Sequence, residues 1–184
     1  MAQYYYTVAS LPAVQLEQEP PITSEYFLDA CKYTITEKDY QTLLMATIMP
    51  EGVPSHPAIA KWYAWEITLR NELVKLRAQL TGFEAEQFIK ETDSTCGGFD
   101  IAREASGAAN PALGEEVLDR ARWRYLEEME IGHIFDMTAL IVYYLKLQIA
   151  ERRKVMNVEN GTANYKELYN RITAKIHQSH DGEL

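Results

Sequence analysis

The stretch Asp136 to Met156, DMTALIVYYLKLQIAERRKVM, constrains the fold more than any other part of the chain. Met137, Ala139, Leu140, Ile141, Val142, Tyr143, Tyr144 and Leu145 leave its first half without a polar side, and Glu151-Arg152-Arg153-Lys154 turns its end polar in one step. A helix that is apolar all round must be enclosed by other elements. It is not a membrane span. The best candidate window, Ile134 to Ala150, is short of the about 20 apolar residues a crossing needs, and Asp136 and Lys146 interrupt it.

The remaining 163 or so positions of a chain of 184 residues must supply that enclosure, which is enough for one domain with a substantial core. A second long helix is predicted from Ser55, with Pro57 in its first turn, to about Leu80, where Thr81-Gly82 supplies the stop. Its apolar residues Ile59, Trp62, Leu69, Leu73, Leu76 and Leu80 recur in steps that share one face. A third follows the cap-like pair Asn110-Pro111 to about Ile131, carrying Val117, Leu118, Ala121, Tyr125, Leu126 and Met129, with Gly132 at its end. A last helix is expected over about Thr162 to His177, after a turn at Asn160-Gly161, with Tyr165, Leu168, Tyr169, Ile172 and Ile176 on one side. Shorter helices are predicted from a Thr23 or Ser24 cap to about Tyr33, from a Thr36 cap to about Ile48, over about Phe83 to Lys90, and near Phe99 to Ala105. Met49-Pro50-Glu51-Gly52-Val53-Pro54 is a break. The N-terminal QYYYTVA is aromatic and β-branched, and reads as a strand or an extended arm laid on the core.

These elements make a mainly α fold: a bundle of long antiparallel helices with shorter peripheral helices and an extended N-terminal segment. Residues 1–184 read as one helical domain, two helical hairpins joined by a loop-rich middle over about residues 91–114.

Charge narrows the function classes. A net charge of −9 is wrong for a phosphate backbone or an anionic lipid surface. The N-terminus carries no basic region followed by an apolar run, so no signal peptide is visible, and a cytoplasmic location is expected. Cys31 and Cys96 stand far apart, without a CxxC or a Cys/His cluster, and read as free thiols.

Charges set within apolar stripes are the candidates for a site. Glu66 falls between Trp62 and Leu69, Glu151 continues the series Ile141, Tyr144, Gln148, and Arg122 falls on the series Leu118, Tyr125, Met129. A lone buried carboxylate costs several kcal/mol, so each must be paired or stay wet. With Arg70 and Arg77 downstream of Glu66, and Arg152 next to Glu151, one reading is an ion network of Glu66, Arg70, Arg77, Arg122, Glu151 and Arg152 linking the long helices. The other is a solvated face on each helix. Arg152, Arg153 and Lys154 either complement the negative end of their helix or present a contact patch to an acidic partner.

Catalytic patterns are weak. Glu130-Ile131-Gly132-His133 is a single E-x-x-H, where a di-iron bundle needs two such motifs and two more carboxylates. His56, His177 and His180 have no Glu three residues before them. Cys96-Gly97-Gly98 lacks the phosphate-loop pattern. No catalytic residue, metal ligand or cofactor is assigned.

Three stretches together carry a family resemblance: YYYTVASLP, then Trp65-Glu66-Ile67-Thr68-Leu69-Arg70-Asn71-Glu72-Leu73 with Leu76-Arg77-Ala78, and RARWRYLEEMEIGHIFDMTALIVYYLKLQIAER. They resemble a small family of uncharacterised bacterial proteins encoded among the genes of V-type (A/V-type) ATP synthases. That family is similar in character to the C/d component of these ATPases, an all-helical, funnel-like part that couples the central stalk to the membrane rotor ring. This chain is distinctly shorter than the C/d component and lacks an evident threefold helical repeat. The resemblance implies a non-catalytic coupling or assembly subunit, stalk or rotor subunits as partners, and a cytoplasmic position, peripheral at the inner membrane through a partner complex. Its rivals are a general helical adaptor and a metal-dependent bundle enzyme using Glu130 and His133.

Overall fold

The computed structural model describes residues 2–92 and 97–156; Cys96 and the expected turn and helix beyond residue 156, with His177 and His180, lie outside them. The chain divides into two compact units, Met1–Glu151 and Arg152–Leu184. Among the described residues it is mainly helical and contains no strand: α1 (Ala2–Ser10), α2 (Ser24–Lys32), α3 (Glu37–Leu44), α4 (Pro57–Thr81), α5 (Gly98–Ser106), α6 (Pro111–Glu130) and α7 (Met137–Val155), with one 3₁₀ turn at Ala85–Gln87.

Most boundaries follow local chemistry. Thr23, Thr36 and Asn110 accept backbone N–H groups of Tyr26, Asp39 and Leu113, capping α2, α3 and α6. Gly82 ends α4 at φ 78° and Gly132 follows α6 at φ 84°, a region open to glycine. At the start of α4 it is His56 that caps, its Nδ1 accepting from Ala58 N at 3.1 Å, one residue beyond the expected Ser55.

α7 is the most enclosed element, with Leu140, Ile141, Val142, Leu145, Leu147 and Ile149 fully buried. Phe27 of α2 lies between Tyr143 and Tyr144, with ring centroids 5.2 and 5.4 Å away. Each such side chain removed from water contributes about 1.5–3 kcal/mol before entropy.

Three expectations are corrected. The N-terminal segment is helical, not an extended arm or strand: Tyr4, Val8 and Leu11 pack on the core and Thr7 is buried, a 3–4 spacing that only a helix presents to one side. Tyr4 then reaches α3, donating its hydroxyl to Asp39 Oδ2 at 2.7 Å. Second, α3 stops at Leu44 and does not reach Ile48. The carbonyls of Met45, Ala46 and Thr47 are taken by Tyr63, Gln148 and Trp62 at 2.5, 2.7 and 2.9 Å, and Gln148 Oε1 accepts Ile48 N at 3.3 Å. Side chains of α4 and α7 thus replace the helical ladder. Third, residues 83–90 hold only the 3₁₀ turn. Asn71 grips Lys90, donating Nδ2 to its carbonyl at 2.7 Å and accepting its N–H at 3.0 Å, so both backbone hydrogen-bonding groups of Lys90 are taken by a side chain of α4.

The small-residue middle region has a packing role. A Cβ at Gly98 would stand 3.3 Å from Leu69 Cα, and one at Gly114 only 2.7 Å from the Ala105 carbonyl oxygen. These glycines let α5 lie close against α4 and let α6 start close against α5.

Candidate functional site

The residue that organises the site is Glu66, in the middle of α4 and wholly buried. Its neighbours along the same helix are core residues, Trp62 and Leu69, because the α4 stripe carries position 66 inward with them. Across from it α6 carries Leu118, Arg122 and Leu126 to the same interface.

The geometry is that of a closed ion cluster. Arg122 donates Nε to Glu66 Oε2 at 3.0 Å and Nη2 to Glu66 Oε1 at 2.9 Å, a two-point grip between planar groups. Its Nη1 donates to Asp119 Oδ1 at 3.1 Å. Arg70, one turn beyond Glu66, donates Nε to Glu66 Oε1 at 2.7 Å from the partly exposed edge. Two carboxylates and two guanidiniums balance, with Glu115 further out, 3.9 Å from Arg122 Nη1. Arg122 and Asp119 are 3 and 2% exposed. Burial by itself lowers the Arg122 pKa, and the charges and hydrogen bonds of Glu66 and Asp119 outweigh it, so the pKa is raised. The cation is permanent.

An aromatic layer flanks the cluster. Trp65 and Tyr125 stack at 4.6 Å and 7° between planes, and Trp62 stacks on Trp65 at 5.8 Å. Apolar walls exclude water and strengthen the ion pairs beside them.

The cluster brings together Glu66, Arg70 and Arg122 of the sequence candidates, and not the others. Arg77 is exposed and lines a shallow cleft of about 360 Å³ with Leu73, Leu80 and Glu115. Glu151 serves elsewhere: Ser24 donates its backbone N–H to Oε1 at 2.7 Å and its hydroxyl to Oε2 at 2.5 Å, so a carboxylate from α7 sits on the positive end of α2. Arg152, Arg153 and Lys154 form the last turn of α7, where positive charge suits the helix end. Asp119, Ser24 and Gln148 were not legible as site residues. Asp119 had one signal, its position a turn before Arg122.

Glu66 accepts three donors, one from Arg70 and two from Arg122. Glu130 pairs with Lys146 at 2.5 Å and His133 with Asp136 at 2.6 Å, so the E-x-x-H residues face different partners. Asp136 is buried enough to raise its pKa, but hydrogen bonds from His133 and from the backbone of α7 bring it below the usual carboxylate range. Among the described residues no three His, Cys, Asp or Glu side chains gather as a metal-holding group. Cys31 is buried, which pushes its thiol up to about 12 and keeps it protonated.

A family model described as "Protein of unknown function (DUF2764)" matches residues 1–49 and 99–176. The matched segments contain Ser24, Asp119, Arg122 and Glu151, while Glu66 and Arg70 lie in the span between them. No curated protein and no solved structure matches the chain.

Proposed function

We propose that this chain, which belongs to the DUF2764 family, is a non-catalytic coupling or assembly subunit of a bacterial V-type ATPase, acting in the central stalk in the manner of the C/d component. The single observation behind the non-catalytic half is that the buried charges are spent on one another: Glu66, Asp119, Arg122 and Arg70 close a cluster between α4 and α6. A clamp of that kind resists sliding of one helix along the other, because displacement by an ångström or two leaves buried charge unpaired. That is the property a part needs if it carries torque or holds neighbours in register. The ATPase half rests on the resemblance of YYYTVASLP, of the Trp65–Leu73 stretch and of the segment from Arg120 to Arg152 to proteins encoded with these ATPases.

In this reading the long helices form an antiparallel bundle, and contact with stalk or rotor subunits holds the protein, from the cytoplasmic side, at the inner membrane. No helix among the described residues is long and apolar enough to cross a membrane itself, so attachment falls to the partners. The test is a tagged full-length chain expressed in its host, cross-linked and purified from the membrane fraction. Stalk subunits of the ATPase should be enriched, and deletion of the gene should lower assembled ATPase. An assembled and fully coupled ATPase in the deletion strain refutes the proposal.

A further inference from the structure

A groove of about 540 Å³ runs between α1, the segment after it and the junction of α6 with α7. Val8, Leu11, Val14, Ile134, Ala139 and Tyr143 make its apolar lining. The polar side chains of the lining are engaged with one another or with their neighbours. Lys146 pairs with Glu130 at 2.5 Å, His133 with Asp136 at 2.6 Å, and the Tyr143 hydroxyl donates to the Pro12 carbonyl at 2.9 Å. A charged occupant would find no unpaired charge to meet and would lose its own hydration, so the groove suits an uncharged apolar one.

Beside the groove stands a ridge of that character. Tyr5 packs against Tyr6 and Phe135 with ring centroids 5.6 and 4.7 Å apart. Tyr6 is 75% exposed, Ile131 78% and Ile134 66%, and Tyr5 and Phe135 are partly so. At about 200 Å² for an aromatic side chain and about 100 Å² for an isoleucine, these five leave roughly 500 Å² of apolar surface in water. That is within the range of about 300–600 Å² at which a patch on a monomer is often functional. With the groove walls added it approaches the about 800 Å² that each partner contributes to a stable interface.

Ridge and groove share α1. Tyr5 and Tyr6 precede the groove residue Val8 by about one turn. A two-fold axis between them lays two α1 helices antiparallel, so that the ridge of each copy meets the groove of the other; a surface carrying both a shape and its complement is what such an interface requires. We propose that this face joins two copies of the chain, with Tyr5 and Tyr6 of each seated in the groove of the other against Leu11 and Ile134. Away from the contact each copy carries its net charge of −9, so salt should tighten the pair by screening that repulsion. The proposal is independent of the ATPase reading.

The test is sedimentation velocity of the full-length chain over a range of concentrations, which should show a monomer and a dimer in exchange. Tyr6→Glu and Ile134→Lys should each weaken the dimer about tenfold or more, because each removes an apolar anchor and sets like charges in the contact. Tyr33→Glu, the same change at an exposed tyrosine of α2, should leave it unchanged. An equimolar mixture of the Tyr6→Glu and Ile134→Lys chains should recover dimer that neither forms alone, since the ridge of the first then brings a carboxylate to the ammonium in the groove of the second. All three positions are exposed, and circular dichroism checks that each variant is folded. Interfaces of this size hold at micromolar Kd or tighter, so a chain still monomeric at about 100 µM overturns the proposal and leaves the groove to another occupant. A dimer indifferent to Tyr6→Glu and Ile134→Lys, or equally weakened by Tyr33→Glu, overturns it as well, and so does a mixture that stays monomeric. A dimer with no ATPase subunits in the pull-down removes only the ATPase assignment, and a monomer that brings those subunits down removes only this one.

Discussion

Replacing Arg122 by Met is the most direct test of the cluster. The guanidinium supplies three hydrogen bonds, two to Glu66 at 2.9 and 3.0 Å and one to Asp119 at 3.1 Å. In the variant Glu66 retains Arg70, but Asp119, 2% exposed, loses the guanidinium that balances it. Breaking a buried pair from one side costs about 3–5 kcal/mol, most of it the burden of the charge left behind. Against a total stability of about 5–15 kcal/mol, that is a large share. With a urea m-value of roughly 2 kcal/mol/M, the unfolding midpoint should fall by about 2 M at unchanged slope, read by tryptophan fluorescence. The companion variant replaces the whole buried set, Glu66→Met, Asp119→Leu and Arg122→Met together. Removing all three charges should restore most of the loss, since apolar groups of similar volume often match a buried ion pair. A single variant within about 1 kcal/mol of the parent, or a triple variant no better than the single, would refute the account of the cluster as mutually dependent buried charge.

Four other outcomes are expected. Gly114→Ala should cost about 1–3 kcal/mol in urea unfolding, because the new methyl meets the Ala105 carbonyl at 2.7 Å, while Gly97→Ala, with nothing within 4 Å, should be near neutral. Glu151→Ala should cost about 1–2 kcal/mol by uncapping α2 from a distance, and Ser24→Ala less, because its backbone N–H still donates to Glu151. Thr7→Val should raise stability by about 1 kcal/mol, since the Thr7 hydroxyl is buried without a hydrogen-bond partner; a loss of stability would count against that reading. His56 has its pKa lowered by burial, with His133 acting the same way and Asp136 and Asp39 opposing. The unfolded chain therefore binds the proton more readily. The His56 contribution is present above pH about 6.5 and is lost as pH falls through the lower folded value, so Tm should drop on acidification, and His56→Asn, which retains a capping acceptor, should flatten that slope.

Local chemistry was readable wherever cause and effect lie within about one helical turn. The caps at Thr23, Thr36 and Asn110, the stops at Gly82 and Gly132, and the all-round apolar character of residues 137–150 belong to that class. So does the position of Glu66 and Arg122 on apolar stripes, which required a partner without saying which one. The tertiary structure alone decided that partner: Arg122 grips Glu66 across 56 positions of sequence, Asp119 joins them, and Glu151 turns to Ser24, 127 positions away. It also decided where helices end against their own propensity, at Met45 to Ile48 and around Lys90, because Trp62, Tyr63, Gln148 and Asn71 offer those backbone groups better bonds than another helical turn. α1 belongs to both classes. The spacing of Tyr4 and Val8, continued by Leu11 just past its end, is present in the sequence, but aromatic and β-branched composition pointed to a strand or extended arm, and only the core to be covered made the helical period the one that counts. A spacing of charges specifies that burial must be compensated; the partner depends on which backbones come within reach of one another, and that is a property of packing.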